Sequence, residues 1–198
     1  MTERYAGYDV LAKWDSPSFD APTRRVLDRR LARVPQRRFL TLHEWTLLDA
    51  VVTRLIPQPE RLHPIPITPW IDHKLAENHG EGFRYEGMPP LREAWRKGLA
   101  GVDAQAARLF SRGFNVLEPE AQDAVLNSIQ LGDVDEAQWS GLPANRFFCS
   151  LLLRTVSGLY YAHPDAWSEI GFGGPASPRG YVRLGFNARD PWEAKEVR

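Results

Sequence analysis

Cysteine is almost absent from this chain: of its 198 residues only Cys149 carries a thiol. An internal disulfide therefore cannot form, and neither a cysteine-held iron–sulfur cluster nor a C-x-x-C-H haem attachment has its ligands. Cys149 sits in the apolar run Phe147-Phe148-Cys149-Ser150-Leu151-Leu152-Leu153, where a small buried hydrophobe is expected rather than a nucleophile. Long hydrophobic runs are missing too. No window approaches the ~18 apolar residues of a membrane span. The start, Met1-Thr2-Glu3-Arg4-Tyr5-Ala6-Gly7-Tyr8, shows neither a basic region leading into an apolar one nor twin arginines ahead of a hydrophobic stretch. No membrane insertion is expected. The cytoplasm is the expected compartment, or the periplasm if another signal exports the chain. An excess of one charge is the third absence. Lys+Arg and Asp+Glu both number 25, which argues against nucleic acid or an anionic membrane as partner, since either favours a basic face.

The chemistry of a self-contained active site is also missing. Gly171-Phe172-Gly173-Gly174 is glycine-rich, but no strand precedes it and no acidic residue follows on a second strand, as a dinucleotide fingerprint requires. Its glycines fit positive-φ turns or close backbone approach better. The five histidines, His43, His63, His73, His79 and His163, include no H-x-x-x-H pair, so no metal site is expected. Neither a G-x-S-x-G elbow nor a local Cys/His signature occurs. Asp133, Asp135 and Glu136 follow a helix-stopping Gly132 and read as a solvated loop. No catalytic, cofactor-binding or metal-binding residue is assigned.

What is there is helix. Residues 1–19 have no period but hold Tyr5, Tyr8, Trp14 and Phe19, an extended arm lying on the domain or on a partner. A short helix is expected from Pro22 to about Ala32, with Val26, Leu27 and Leu31 on one side. Thr41-Leu42-His43-Glu44 has the form of a capping box. After it Trp45, Leu48, Val52, Leu55 and Ile56 fall on one stripe, stopped by Pro57 and Pro59. Thr68-Pro69 reads as the N-cap and first position of a helix carrying Trp70, Ile71 and Leu75. A long helix from about Pro90 to Ser111 has Leu91, Trp95, Leu99, Val102, Ala106 and Leu109 as its stripe. Another begins at Pro119, and the last, about Pro143 to Ala162, is apolar enough around Phe147 to Val156 to be central. The expected fold is all-α, an orthogonal bundle of five or six helices. One domain spans 1–198: arm and short helix 1–40, helical core 41–170, irregular tail 171–198.

Aromatic residues stand outside these stripes: Trp14, Phe83, Tyr85, Trp139, Phe172, Tyr181, Phe186 and Trp192. Some can plug the core from loops, and Trp and Tyr are also the residues that anchor interfaces. The tail is long, aperiodic and too aromatic for disorder, so docking on a partner is the economical reading.

The residues Tyr160-Tyr161-Ala162-His163-Pro164, then Trp167-Ser168-Glu169-Ile170-Gly171-Phe172-Gly173-Gly174-Pro175-Ala176 and Pro178-Arg179-Gly180-Tyr181, resemble the closing motif of the gluconate 2-dehydrogenase subunit 3 family. The helix Trp45 to Ile56 ending in Pro57 and the Phe147-Phe148 entry into a Leu/Thr-rich helix are similar to it as well. The resemblance covers roughly Thr41 to Glu193. It implies a non-catalytic accessory subunit of an FAD-dependent sugar or polyol dehydrogenase. The large subunit would be of the glucose–methanol–choline (GMC) type and hold the FAD, with a cytochrome subunit in some complexes; no cofactor is implied for this chain. Many members begin with a twin-arginine signal; the sequence from Met1 shows none, as expected of a trimmed chain or of a cytoplasmic branch. The resemblance marks His163, Trp167, Gly171, Phe172, Gly174, Pro175, Pro178, Arg179, Gly180 and Tyr181, to which the tail adds Trp192 as a partner contact. Arg179 could fork onto a partner carboxylate. Trp167 could fill a partner pocket or close the domain's own core. Two other readings stand beside this one: a free-standing enzyme built on His163, Asp165 and Glu169, and a maturation chaperone that leaves once the flavoprotein is loaded.

Overall fold

The computed structural model describes residues 4–17, 19–80, 82–175 and 194–196. Among these the chain is all-α, with no strand. The α-helices are α1 (Ala21–Ala32), α2 (Leu42–Leu55), α3 (Ile67–Ala76), α4 (Leu91–Phe110), α5 (Pro119–Leu131), α6 (Ala144–Arg146), α7 (Leu153–Ala162) and α8 (Pro164–Trp167). The backbone forms two compact units. Val34–Gly158 make one, and the described residues of Met1–Arg33 and Leu159–Arg198 make the other.

In the Val34–Gly158 unit the helix ends follow local chemistry. Thr41 caps α2 as expected: its hydroxyl accepts the Glu44 N–H at 3.2 Å, and the Glu44 carboxylate accepts the Thr41 N–H at 2.8 Å. Gly132 closes α5 in the left-handed conformation. The start of α3 differs from expectation. The helix begins at Ile67 with Pro66 at the N-cap, because the buried Thr68 hydroxyl is spent elsewhere, donating to Asp49 at 2.9 Å. A second carboxylate, Asp72, is fully buried on α3. It accepts the backbone N–H groups of Arg38, Phe39 and Leu40 at 2.6, 3.0 and 2.7 Å, and so pins the segment leading into α2.

The core of this unit is centred on α4. Trp95, Leu99, Val102 and Ala106 are buried along one stripe, while Leu109, the last residue of the expected stripe, is exposed. Two helical glycines let bulky neighbours in: the Phe147 ring occupies the space beside Gly98, and the Trp139 ring lies against Gly101. Trp95 meets Phe147 edge-on at 5.9 Å between centroids. Trp139, an aromatic outside the helical stripes, is thus a core plug. Its indole N–H has no hydrogen-bond partner among the described residues.

A π-helical stretch, Phe147–Leu152, joins α6 to α7 without a break, with the Leu153 N–H bonded to the Phe148 carbonyl five residues back. The pattern accounts for it. Ala144, Phe148, Leu152, Val156 and Tyr160 are all buried at a strict spacing of four. In a regular α-helix that spacing drifts by about 160° over its sixteen residues, which carries the last member to the far side. One extra residue in the ladder removes about 100° of the drift. The same geometry turns Cys149 and Leu153 outward, so Cys149 is exposed and not the buried hydrophobe expected.

In the other unit the N-terminal arm is not extended. It coils into turns and a 3-10 helix, Val10–Lys13, whose start is capped by the Asp9 carboxylate. Val10, Phe19 and Leu27 form a small core with Trp167, flanked by Tyr8, Leu11 and Trp14. Asp20 caps α1 by accepting the Thr23 N–H at 2.8 Å. Hydrogen bonding from the Thr23 side chain, and then from this N–H, holds its carboxyl pKa below the ordinary range. Leu27 is the one buried residue of α1, and Val26, expected on the same side, is exposed.

Candidate functional site

The residues singled out from sequence are best built up from the end of α7. His163 stops it and caps the next helix, with ring Nδ1 accepting the Asp165 N–H at 3.4 Å and Pro164 supplying the preset φ of the first helical position. The Asp165 carboxylate lies 3.7 Å from the same Nδ1. The Tyr160 hydroxyl donates to Glu169 Oε2 at 2.7 Å, tying the end of α7 to the 3-10 turn Ser168–Ile170. His163, Asp165 and Glu169 therefore serve as cap, first-turn acid and tyrosine acceptor.

Trp167 to Phe172 form a helix-stop motif. The Gly171 N–H returns to the Ser168 carbonyl at 3.2 Å, and the Phe172 N–H reaches the Trp167 carbonyl at 2.9 Å. Gly171 itself has φ +66°. These are the two bonds and the left-handed residue of a Schellman stop. Its usual apolar contact is present as well, with Phe172 set edge-on against Trp167 at 5.3 Å. Trp167 is 5% exposed and its indole N–H donates to the Tyr161 carbonyl at 2.9 Å, so both its apolar face and its polar handle are satisfied internally. Of the two uses open to Trp167, the structure shows the core one. His163, at 7% exposure, is likewise buried.

The motif's glycines are occupied by the chain's own arm. A Cβ on Gly171 would lie 2.7 Å from the Tyr5 ring, and one on Gly174, at φ +84°, would lie 2.9 Å from the Phe19 ring. The Gly173 carbonyl accepts from Lys13 Nζ at 2.9 Å, the Phe172 carbonyl accepts from the Tyr8 hydroxyl at 3.4 Å, and Ser168 Oγ accepts the Val10 N–H at 3.1 Å. The glycines at 171 and 174 admit aromatic rings from residues 5–19. Sequence reasoning named the arm aromatics Tyr5, Tyr8, Trp14 and Phe19, on the domain or on a partner, but did not pair them with these glycines. The available signal was four aromatics in a segment without a period, matched to glycines that leave flat surface open. Tyr161, Ile170 and Phe172 remain exposed on this unit, and Pro175 is half-buried. Pro178, Arg179, Gly180, Tyr181 and Trp192 lie outside the described residues.

Two open grooves lie in the Val34–Gly158 unit, and none of the singled-out residues lines either. One, of about 500 Å³, runs between α2 and α4 over Leu47, Leu99, Ala100 and Ala104, with His43 Nε2 and Asp103 Oδ2 3.0 Å apart at its edge. The other, of about 530 Å³, is walled by Trp45, Val52 and the prolines from Pro57 to Pro69. Among the described residues no group of three His, Cys, Asp or Glu is placed to hold a metal ion, and no helix is long and apolar enough to cross a membrane.

These features define an all-α protein whose most elaborated local structure is a helix stop clasped by its own N-terminal arm. The profile of one family, described as gluconate 2-dehydrogenase subunit 3, matches residues 42–174, which is more than half of the chain, and the chain belongs to that family. The match contains the helix stop and leaves out the arm that packs against it. No curated protein and no solved structure matches the chain.

Proposed function

We propose that this chain is the non-catalytic small subunit that binds, stabilises or matures an FAD-dependent, GMC-type large subunit oxidising a sugar or glycoside. The observation that carries this reading is the family match over residues 42–174, since the family is a subunit of a dehydrogenase complex. The local chemistry supports it. Every side chain offered for a free-standing active site at His163, Asp165 and Glu169 has a structural use within a few residues of itself. FAD belongs in this reading to the large subunit, and haem to a cytochrome subunit where the complex has one. Co-expression of the tagged chain with the neighbouring open reading frames tests it. A yellow, FAD-containing protein should co-purify in fixed ratio with the chain. Its absence, or turnover of a sugar by the isolated chain that His163→Ala abolishes, would overturn the proposal. Size-exclusion of the flavin-loaded enzyme distinguishes a resident subunit, which co-elutes, from a maturation factor that has left.

A further inference from the structure

The side of α6–α7 turned away from the core has an unusual surface. Arg146, Cys149, Leu153 and Arg154 are all exposed on it, and no acidic residue occurs between Ala144 and Ala162. A loop that precedes α4 packs against this side with two aromatics, Phe83 at 54% exposure and Tyr85 at 38%. Their rings meet edge-on, 5.5 Å between centroids at 85°. Each is flanked by a guanidinium: Arg154 lies 5.3 Å from the Phe83 centroid and Arg146 lies 5.5 Å from that of Tyr85. Neither arginine has an acidic partner among the described residues. Arg84 adds a third exposed cation, against Glu86 as the loop's one described carboxylate.

Three physical points give this face a partner. A guanidinium stacked on a ring keeps its planar fork of N–H donors free at the edge, the geometry that meets a carboxylate with two bonds. Rings held by each other and by arginine have already lost much of their freedom, which lowers the ordering cost of binding. Tyr, Phe and Arg with an apolar centre are the composition of interface hot spots. Nucleic acid is the weaker fit, because the whole chain is formally neutral and the centre of the face is apolar.

We propose that Phe83, Tyr85, Arg146, Leu153 and Arg154 form the docking face for the large subunit, which meets it with an apolar prominence flanked by carboxylates. The inference rests on the accessory-subunit reading and names the surface that reading leaves open. Cys149, the chain's one thiol, lies exposed on the same helix and reports on the face directly.

The test uses the full chain, alone and in complex with the co-purified flavoprotein. Alkylation of Cys149 by a fluorescent maleimide should be about tenfold slower or more in the complex than in the free chain. Loss of two charge-assisted contacts in Arg146→Glu/Arg154→Glu should weaken binding by about tenfold to a hundredfold and reduce its salt dependence, with helical circular dichroism unchanged. Phe83→Ala/Tyr85→Ala should weaken binding with the salt dependence retained. Unchanged affinity in both double variants, with Cys149 equally reactive free and bound, would overturn the docking face and leave the accessory role standing. Absence of any flavoprotein partner for the wild-type chain would remove both. Two other occupants would also overturn it. A second copy would show as a dimer in sedimentation of the free chain, lost in Arg146→Glu/Arg154→Glu. The chain's own C-terminal segment would show as faster Cys149 alkylation after truncation behind Pro175.

Discussion

Replacing a helical glycine by alanine should have opposite signs at different places in this protein, and the structure sets the order. Gly98, Gly101 and Gly158 all lie inside helices, where alanine is intrinsically favoured by about 1 kcal/mol. At Gly158 an added Cβ meets nothing within 4 Å, so the gain should be realised. At Gly101 it would lie 2.7 to 2.9 Å from three Trp139 ring carbons, and at Gly98 it would lie 2.2 Å from two Phe147 ring carbons. Non-bonded carbons settle at about 3.5–4.0 Å, so Phe147 must move by more than an ångström in a close-packed core. Overpacking of this kind costs about 1–3 kcal/mol, the worse clash lying at the upper end. Setting propensity against clash leaves Gly158→Ala stabilised by up to about 1 kcal/mol, Gly101→Ala destabilised by about 1, and Gly98→Ala by about 2. In a chain of this size each kcal/mol moves the Tm by about 2–4 °C. Thermal and urea unfolding, followed by helical circular dichroism, should rank Gly158→Ala above wild type, then Gly101→Ala, then Gly98→Ala. Adding Phe147→Leu should recover part of the Gly98→Ala loss, because the two sites share one space. A Gly98→Ala protein as stable as wild type would refute the reasoning, as would equal shifts at all three sites.

The clasp of the helix stop makes a second prediction. Gly174→Ala combines a left-handed φ with a ring 2.9 Å away, so the arm should loosen, and trypsin should cut after Arg24 and Arg25 faster than in wild type; unchanged cleavage would count against the clasp. Asp72→Ala removes the acceptor of three backbone N–H groups, and at about 1–3 kcal/mol for each stranded donor the loss should reach about 3 kcal/mol or more in urea titration. Asp72→Asn keeps Oδ1 for Phe39 and Leu40 and should fall in between. The bidentate pair of Arg54 with Asp123, at 2.8 and 2.6 Å, holds the Asp123 carboxyl below its ordinary value of 3.8. Its stabilisation is therefore present above that value and lost as the pH falls below it. Asp123→Asn should lower stability slightly at pH 7, and the difference from wild type should vanish once the pH is well below 3.8, as urea midpoints at the two pH values will show.

Helix positions were readable because their signals are local. A capping box acts within one turn, proline breaks the ladder where it stands, and a stripe repeats every few residues, so α2, α4 and α5 match their expected spans closely. The start of α3 was misread because Thr68 had two possible hydrogen-bond uses, and Asp49, nineteen positions away, took the hydroxyl. The closing motif was legible as a set of residues, while the local bonds and packing they make were not. Trp167, Gly171 and Phe172 make a helix stop whose bonds span five residues, and its packing partner lies more than 150 positions earlier in the chain, at Tyr5 to Phe19. The face around Phe83 and Arg154 left only the trace of two loop aromatics outside any stripe.

By itself the sequence determined the helical class, the family and the absence of disulfide or cysteine-ligated chemistry, since composition and short-range hydrogen bonding decide these. Only the tertiary structure decided which glycines admit a ring, which tryptophans are core and which arginines stack on exposed aromatics. Those outcomes depend on contacts between residues far apart in the chain, whose pairing no local pattern encodes. Cys149 shows the difference: its neighbours are apolar, yet the ladder of five-residue bonds around it turns the thiol to the surface.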